Sequence, residues 1–551
     1  MGRVHLERLE PRLALAFGAG DGSYIVEPWL GSYSGVQIQP VDQKIVAAGS
    51  MYITNPDNTT GSRMAIARYD MAGSLDGTFG SGAPSIPPQS GVSAPELGPS
   101  NEAGWDLVFQ PNGKSILSGN NSVNSSSAVA RFNNNGTLDS GFGSGGWTSL
   151  DVRVDSFNPA EGVALQSTGK IVVAGTSMAS SLFTPFNSQA EVARFTASGA
   201  LDNGGGGFGK QKSGYTLSTF GMTKNVFHDV AVQPDDKLVA VGLAYTDGPY
   251  RRLITARYTA SGTLDTTFNG SGYSVFLPQG ISDSFGSAVA LQTNGKIVVS
   301  GFSTGTDGAP DMLVVRYNSN GTLDTSFGGS GYVRLDDSAA TQSQEYGNDV
   351  VIQPDGKIVV GGWTSVAGNP SNILVARFNV DGTRDSTFAA GGYKIGAPVP
   401  SSDFHSFEGQ GVALQTDGSI IVAGSDRSGM TSSSAVFHPL VMRFSGTNSA
   451  LAPTVSRSTN SAAAATDTAI ALLVKEDLTS TNLKKYSASE VQTGTPANTS
   501  PAAFGGTSSS AALTIDSSPV QKSNPSKSGL GKLSSPDLVL SLDDWFGSLS
   551  Q

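Results

Sequence analysis

The stretch "DVVIQPDGKIVVGG", residues 349–362, decides the fold. Two β-branched apolar runs flank a Pro-Asp-Gly turn, which supplies the positive φ that a tight hairpin needs. The same phrase returns as "VQIQPVDQKIVAAG" (36–49), "LVFQPNGKSILSG" (107–119), "VALQSTGKIVVAG" (163–175), "VAVQPDDKLVAVG" (230–242), "VALQTNGKIVVSG" (289–301) and "VALQTDGSIIVAG" (412–424). Self-similarity at a period of this kind marks a repeat architecture.

Each copy is followed by an Arg-aromatic pair: Arg68-Tyr69, Arg131-Phe132, Arg194-Phe195, Arg257-Tyr258, Arg316-Tyr317, Arg377-Phe378 and Arg443-Phe444. Six of these lead into a third phrase, typified by "NGTLDTSFGGSGYV" at 320–333. The pattern resembles the delta-60 repeat family of bacterial proteins over residues 17 to about 448. That resemblance implies a β-propeller with no assigned activity.

The residues give the same architecture without the family. "GYVRL", "DVVIQ", "KIVVGG" and "ILVARF" are four short strand-forming runs bounded by Gly, Asp, Asn and Pro. The third run is apolar at nearly every position, the pattern of a strand buried on both faces. No stretch of the repeat carries helical 3.6 spacing, which disfavours helical solenoids. Four strands per unit, radially repeated, make a propeller blade. The seventh repeat ends at "VMRFSGTNSALAP" without its Leu-Asp and Phe-Gly, and "FGAGDGSYIVEP", from Phe17 to Pro28, supplies the missing piece. We therefore expect an all-β, seven-bladed β-propeller over 17–448, closed by an N-terminal strand. An open superhelix would gain nothing from splitting one unit between the chain ends.

Composition narrows the function classes. The formal net charge is −11 over 551 residues, which argues against nucleic-acid binding. With no cysteine, thiolate chemistry and disulfides are absent. No apolar run reaches the ~18 residues of a spanning helix. Residues 1–16 read as a leader or sorting segment: "LEPRLAL" resembles the LEPR-XLL motif at the start of many secreted or surface bacterial proteins, with Ala14 where that motif prefers Leu. Residues 449–551 turn to Ser, Thr and Ala with few aromatics, too little to offset ordering entropy, so a low-complexity, mostly disordered tail is expected.

In an antiparallel blade the hairpin and the "NGTLD..FG" connection emerge on one face and the variable loops on the other. Candidate binding residues on the variable face are Phe183, Tyr245, Tyr250, Trp363 and His405, aromatic groups suited to stacking on sugars or anchoring a protein. Phe285, Tyr346 and Phe407 recur at similar positions and read as blade packing. The recurrent Arg and the Asp of "LD", such as Arg316 with Asp324 or Arg377 with Asp385, read as a structural pair. "GFSTG" (301–305) matches a nucleophile elbow but ends a strand with no helix after it. "GGGGFG" (204–209) is an expanded loop, not a dinucleotide site. "NSNGTLD" lacks the bidentate Glu of a calcium loop. His228 and His405 are placed in variable-face loops with no carboxylate in sequence reach. No catalytic residue, metal site or cofactor is assigned. The expectation is a non-enzymatic secreted or surface binding scaffold, a monomeric propeller taking a protein or carbohydrate ligand. The alternatives are a hydrolase or lyase with a polar site near the axis, and a structural envelope protein.

Overall fold

The computed structural model describes residues 17, 22–54, 60–80, 90–98, 101–121, 126–152, 159–178, 187–246, 250–305, 308–336, 343–366, 369–396, 405–428, 436–446 and 455–457. The leader, and nearly all of the tail including the whole of the chain's second unit (476–551), lie outside them. Seven sheets of antiparallel strands follow one another along the chain, blades 1 to 7, with inner strands Gly31–Ile38, Glu102–Phe109, Ala160–Leu165, Lys224–Val232, Asp283–Leu291, Ser343–Ile352 and His405–Leu414. Blade 6 is representative, with strands Ser343–Ile352, Ile358–Val366, Asn372–Phe378 and Tyr393–Ile395 in that order from the axis outward. The only helical turn among the described residues is the 3-10 segment Lys210–Lys212.

One detail of the unit differs from the sequence reading. The run "GYVRL" does not start the blade of the "DVVIQ" strand that follows it. Tyr332–Leu335 pairs with the preceding blade, Met312 opposite Leu335 and Val315 opposite Tyr332. The "NGTLD..FG" connection is short enough to fold this run back beside the strand just completed, so it becomes the outer strand there.

The seam obeys the same rule. Ser23–Val26 is the outer strand of blade 7, Ser23 opposite Arg443 and Val26 opposite Leu440, while the other three strands come from residues 405–444. The backbone of Val455–Arg457 runs parallel to this strand as a fifth member, past residue 448 where the repeat stops. Each interface between adjacent blades buries its own apolar cluster, seven in all. The cluster between blades 7 and 1 joins Ala413, Ile421 and Val441 to Tyr33, Ile45 and Ala67. An open superhelix has no such interface.

The Arg-Asp pair is the centre of a larger node. Arg377 Nε donates to Asp385 Oδ2 at 2.7 Å, Lys357 of the hairpin meets the same oxygen at 2.9 Å, and the guanidinium lies 4.6 Å above the Phe388 ring. A further Arg377 N–H donates to Gly446 O of blade 7 at 2.7 Å. One side chain thus fastens strand, turn and neighbouring blade. Equivalent sets form around Arg68, Arg131, Arg194, Arg257 and Arg316. Blade 7 builds its version across the seam, with Arg443 over Phe17 at 5.1 Å and Ser419 where the lysine stands elsewhere. Arg316 and Asp324 are 3% and 5% exposed, so the pair is a buried one. Arg316→Ala leaves Asp324 with Lys296 as its one described cation, beside the Ser326 hydroxyl, and strips the Val380 carbonyl of its donor. Breaking a buried pair costs about 3–5 kcal/mol; with Lys296 retained, we expect about 2–4 kcal/mol by urea unfolding. An unchanged midpoint would remove the node from the list of fold determinants.

Candidate functional site

Six of the seven inner strands slip by one residue against their neighbours at the same point, between Tyr33 and Gly35, Ala160 and Gly162, Phe227 and Asp229, Gly286 and Ala288, Gly347 and Asp349, and Gly409 and Gly411. In blade 2 the gap, from Gly104 to Leu107, is wider by one residue. A bulge leaves its extra residue out of the ladder and re-aims that side chain. The residues so released are Ser34, Trp105, Glu161, His228, Ser287, Asn348 and Gln410, all half-buried. Neighbours in this ring meet: Glu161 Oε2 lies 2.6 Å from His228 Nδ1, and Asn348 Nδ2 donates to Gln410 Oε1 at 3.1 Å. Backbone approaches backbone here. A Cβ on Gly409 would stand 2.5 Å from Gly362 O of the adjacent blade.

One residue beyond the bulge, toward the hairpin face, carboxylates alternate with small residues: Gly35, Asp106, Gly162, Asp229, Ala288, Asp349 and Gly411. Each aspartate serves two N–H groups that the bulges free from the ladder. Asp349 Oδ1 accepts from Val350 N–H and Oδ2 from Val412 N–H of blade 7, both at 2.7 Å. Asp106 does the same for Leu107 and Val163, and Asp229 for Val230 and Val289. The blade that precedes an aspartate must be small at this position. A Cβ on Gly162 would lie 2.7 Å from Asp229 Cα. Burial pushes the Asp349 carboxyl up to about 7, with Asp229 adding repulsion and the two N–H groups pulling the other way. Burial also drives Asp106 well above the usual carboxylate range, helped by the charges of Asp229 and Asp349. Asp229 is raised by burial as well.

Below this ring the side chains are mainly aliphatic, with Gln37 among them. A cavity of about 390 Å³ opens toward the hairpin face, lined among others by Ile38, Leu291, Val351, Ile352 and Leu414. Above it, toward the variable loops, a row of rings crosses blades 4 to 6. His228 stacks on Phe285 at 4.6 Å, Phe285 on Phe302 at 4.8 Å, and Tyr346 on Trp363 at 4.1 Å, with Phe302 meeting Tyr346 edge-on at 4.9 Å. These contacts fix Phe285 and Tyr346 in blade packing, as their recurrence implied.

The candidate residues separate. Phe183 lies outside the described residues. Trp363 is 7% exposed within the row just described. His405 is also buried, its Nδ1 held by both Asp426 oxygens at 2.9 Å. Tyr245 is half-buried under the Lys224 ammonium, and Tyr250 is 57% exposed. The placement of the histidines in loops is corrected: His228 is a bulge residue within Lys224–Val232, and His405 opens the inner strand His405–Leu414. Both have carboxylates, Glu161 from the previous blade and Asp426 from across a hairpin. Ring closure and strand register supply them, and local sequence holds no trace of either. The axial aspartates were missed as well. Their one signal was an acid just after the bulge in alternate repeats. "GFSTG" lies in the strand Ile297–Thr304 as read, with Ser303 buried.

Six segments, residues 42–79, 110–142, 166–204, 233–268, 292–327 and 353–388, match the model of a β-propeller domain of unknown function, DUF5122. The chain is a β-propeller repeat protein. Most of the matched segments run from the hairpin turn to the aromatic residue of the node, so the recurring signal of this propeller is its fastening, not its mouth. No curated protein is similar to the chain. Among solved structures, the propeller is similar to a polysaccharide lyase, the PL25 ulvan lyase (12% identity, 74% of this chain and 92% of that chain, TM-score 0.38). It is also similar to a gluconolactonase from Xanthomonas campestris (10%, 60% and 90%, 0.27) and to a mannose phosphorylase from Leishmania mexicana (14%, 51% and 81%, 0.27). Likeness this distant carries nothing about chemistry.

Proposed function

We propose that the protein is a non-enzymatic binding scaffold, secreted or held at a cell surface, that recognises carbohydrate or protein through its variable-loop face. One observation carries this reading. The same point of the inner strand presents six kinds of mouth residue in the seven blades, only serine occurring twice, whereas six nodes on the opposite half present the same Arg, Asp, Lys and aromatic set. A rigid repeated frame with divergent chemistry at one end is how scaffolds hold recognition sites. The secreted or surface location rests on the leader alone, and cell fractionation tests it.

A glycan array and a pull-down with the full chain are expected to return at least one ligand whose binding is lost when the variable loops are shortened. If both come up empty, the scaffold reading fails. The enzyme reading draws on the Glu161–His228 pair, since an imidazole held by a carboxylate is a general-base arrangement. Against it, His228 Nε2 and Glu161 Oε1, the two polar atoms not engaged in the pair, are both buried and closed to a substrate. Turnover of a polysaccharide that Glu161→Gln abolishes would reverse this preference.

A further inference from the structure

We propose that blade 4 carries the ligand contact of the variable-loop face, and that its ligand is an acidic carbohydrate, a glycan bearing carboxylate or sulfate groups; this rests on the scaffold reading above. Three strands of blade 4 end side by side on that face. Lys224 opens the inner strand and pairs across the ladder with Tyr245, the last residue of the second strand. Its ammonium stands 5.1 Å from the Tyr245 ring centroid, which fixes the position of the charge. Arg252 opens the third strand opposite Ala244, directly after Tyr250 and Arg251.

The surroundings make this cluster distinctive. The protein is acidic, yet blade 4 gathers three cations at one end. Lys224 and Arg252 make no ion pair with a described carboxylate, whereas Arg63, on the same face of blade 1, is neutralised by Glu96 at 3.1 Å. Tyr250 is the one exposed aromatic ring among the described residues. Asp283 of blade 5 accepts the Arg251 backbone N–H at 2.6 Å and tempers the charge on that side. Burial pushes the Tyr346 phenol up to about 12 while the nearby Arg251 charge pulls the other way, so the cluster runs on toward the polar mouth.

Lys224 and Arg252 leave opposite faces of the sheet at the same rim, and the exposed ring of Tyr250 lies two residues before Arg252; a ring beside cations of this kind matches a pyranose face followed by its acid group. The ring covers C–H bonds, and Arg252 and Lys224 supply charge-assisted hydrogen bonds. An acidic peptide would also want apolar anchors, and among the described residues this part of the face offers one exposed ring, Tyr250.

The test is calorimetry on the full chain with an oligogalacturonate, a cello-oligosaccharide of equal length and polyglutamate. Oligogalacturonate is expected to bind and to weaken with salt. The double variant Lys224→Ala/Arg252→Ala should bind at least about tenfold more weakly, the loss expected for a charged hydrogen bond. Tyr250→Ala should lose several-fold at an unchanged salt slope, and Tyr250→Phe should retain binding. Tyr250 and Arg252 are exposed and Lys224 is half-buried, and unchanged melting of each variant confirms folding. Oligogalacturonate binding unaltered in both alanine variants overturns the site. Equal binding of polyglutamate overturns the carbohydrate assignment. Binding of the neutral sugar alone, or of a protein partner alone, overturns the acidic-glycan proposal while leaving the scaffold reading standing; no ligand of any kind overturns both.

Discussion

A variant lacking residues 1–26 will not hold a closed ring. The deletion removes Phe17, Tyr24, Ile25 and Val26, all buried, and with them the outer strand of blade 7. At about 1.5–3 kcal/mol for each large apolar side chain, the loss is roughly 6–12 kcal/mol, against a typical total stability of about 5–15. It also bares the edge of Val436–Phe444, an invitation to intermolecular pairing. We expect loss of the cooperative melt, or a fall in Tm above about 20 °C, together with aggregation. A synthetic peptide spanning residues 15–30 added in trans should restore the melt, which separates a missing strand from general damage. A truncated chain as heat-resistant as the intact one would refute closure through the N-terminus.

Stability will peak in mildly acidic solution and decline toward neutrality. Two sets of carboxylates pull in opposite directions. The node aspartates are depressed by their lysine, arginine and hydroxyl partners, which outweigh burial; Asp265, for example, is held at about 2. Their contribution is present above the unfolded value of 3.8 and is lost as pH falls toward 2. The axial aspartates are raised. Their contribution is full below 3.8 and is lost as pH climbs through about 7, where Asp349 ionises in the folded state. Glu102, pushed up to about 7 by burial, acts in the same sense. Urea midpoints should therefore be highest near about pH 4–5.5 and fall by pH 8.

Asp349→Ala is the sharper variant. It leaves the N–H groups of Val350 and Val412 without their acceptor, at about 1–3 kcal/mol each. The sum, roughly 2–6 kcal/mol, is lost at the acidic optimum, and the decline toward pH 8 becomes shallower because one raised carboxyl is gone. A wild-type midpoint that rises steadily from pH 5 to 8 would contradict the axial assignment.

Strands, blade number and the split blade were all legible in the chain, because each rests on local spacing: β-branched runs, turns that need positive φ, and a missing phrase at one end matched by an extra one at the other. The Arg316–Asp324 pairing was legible for the same reason, since eight residues and one turn separate the partners. The position of "GYVRL" was not. A four-run repeat can be cut at any run, and only the pairing of Met312 with Leu335 shows where the blade ends.

The axis lay beyond the reach of local spacing altogether. His228 meets Glu161 across 67 residues, and Asp349 meets Val412 across 63, because closing seven sheets into a ring brings their midpoints together. By itself the sequence determined the sheets and the fact that the circle shuts. Tertiary structure alone decided which side chains face one another inside it, since convergence on an axis is a property of the closed ring and of no single repeat.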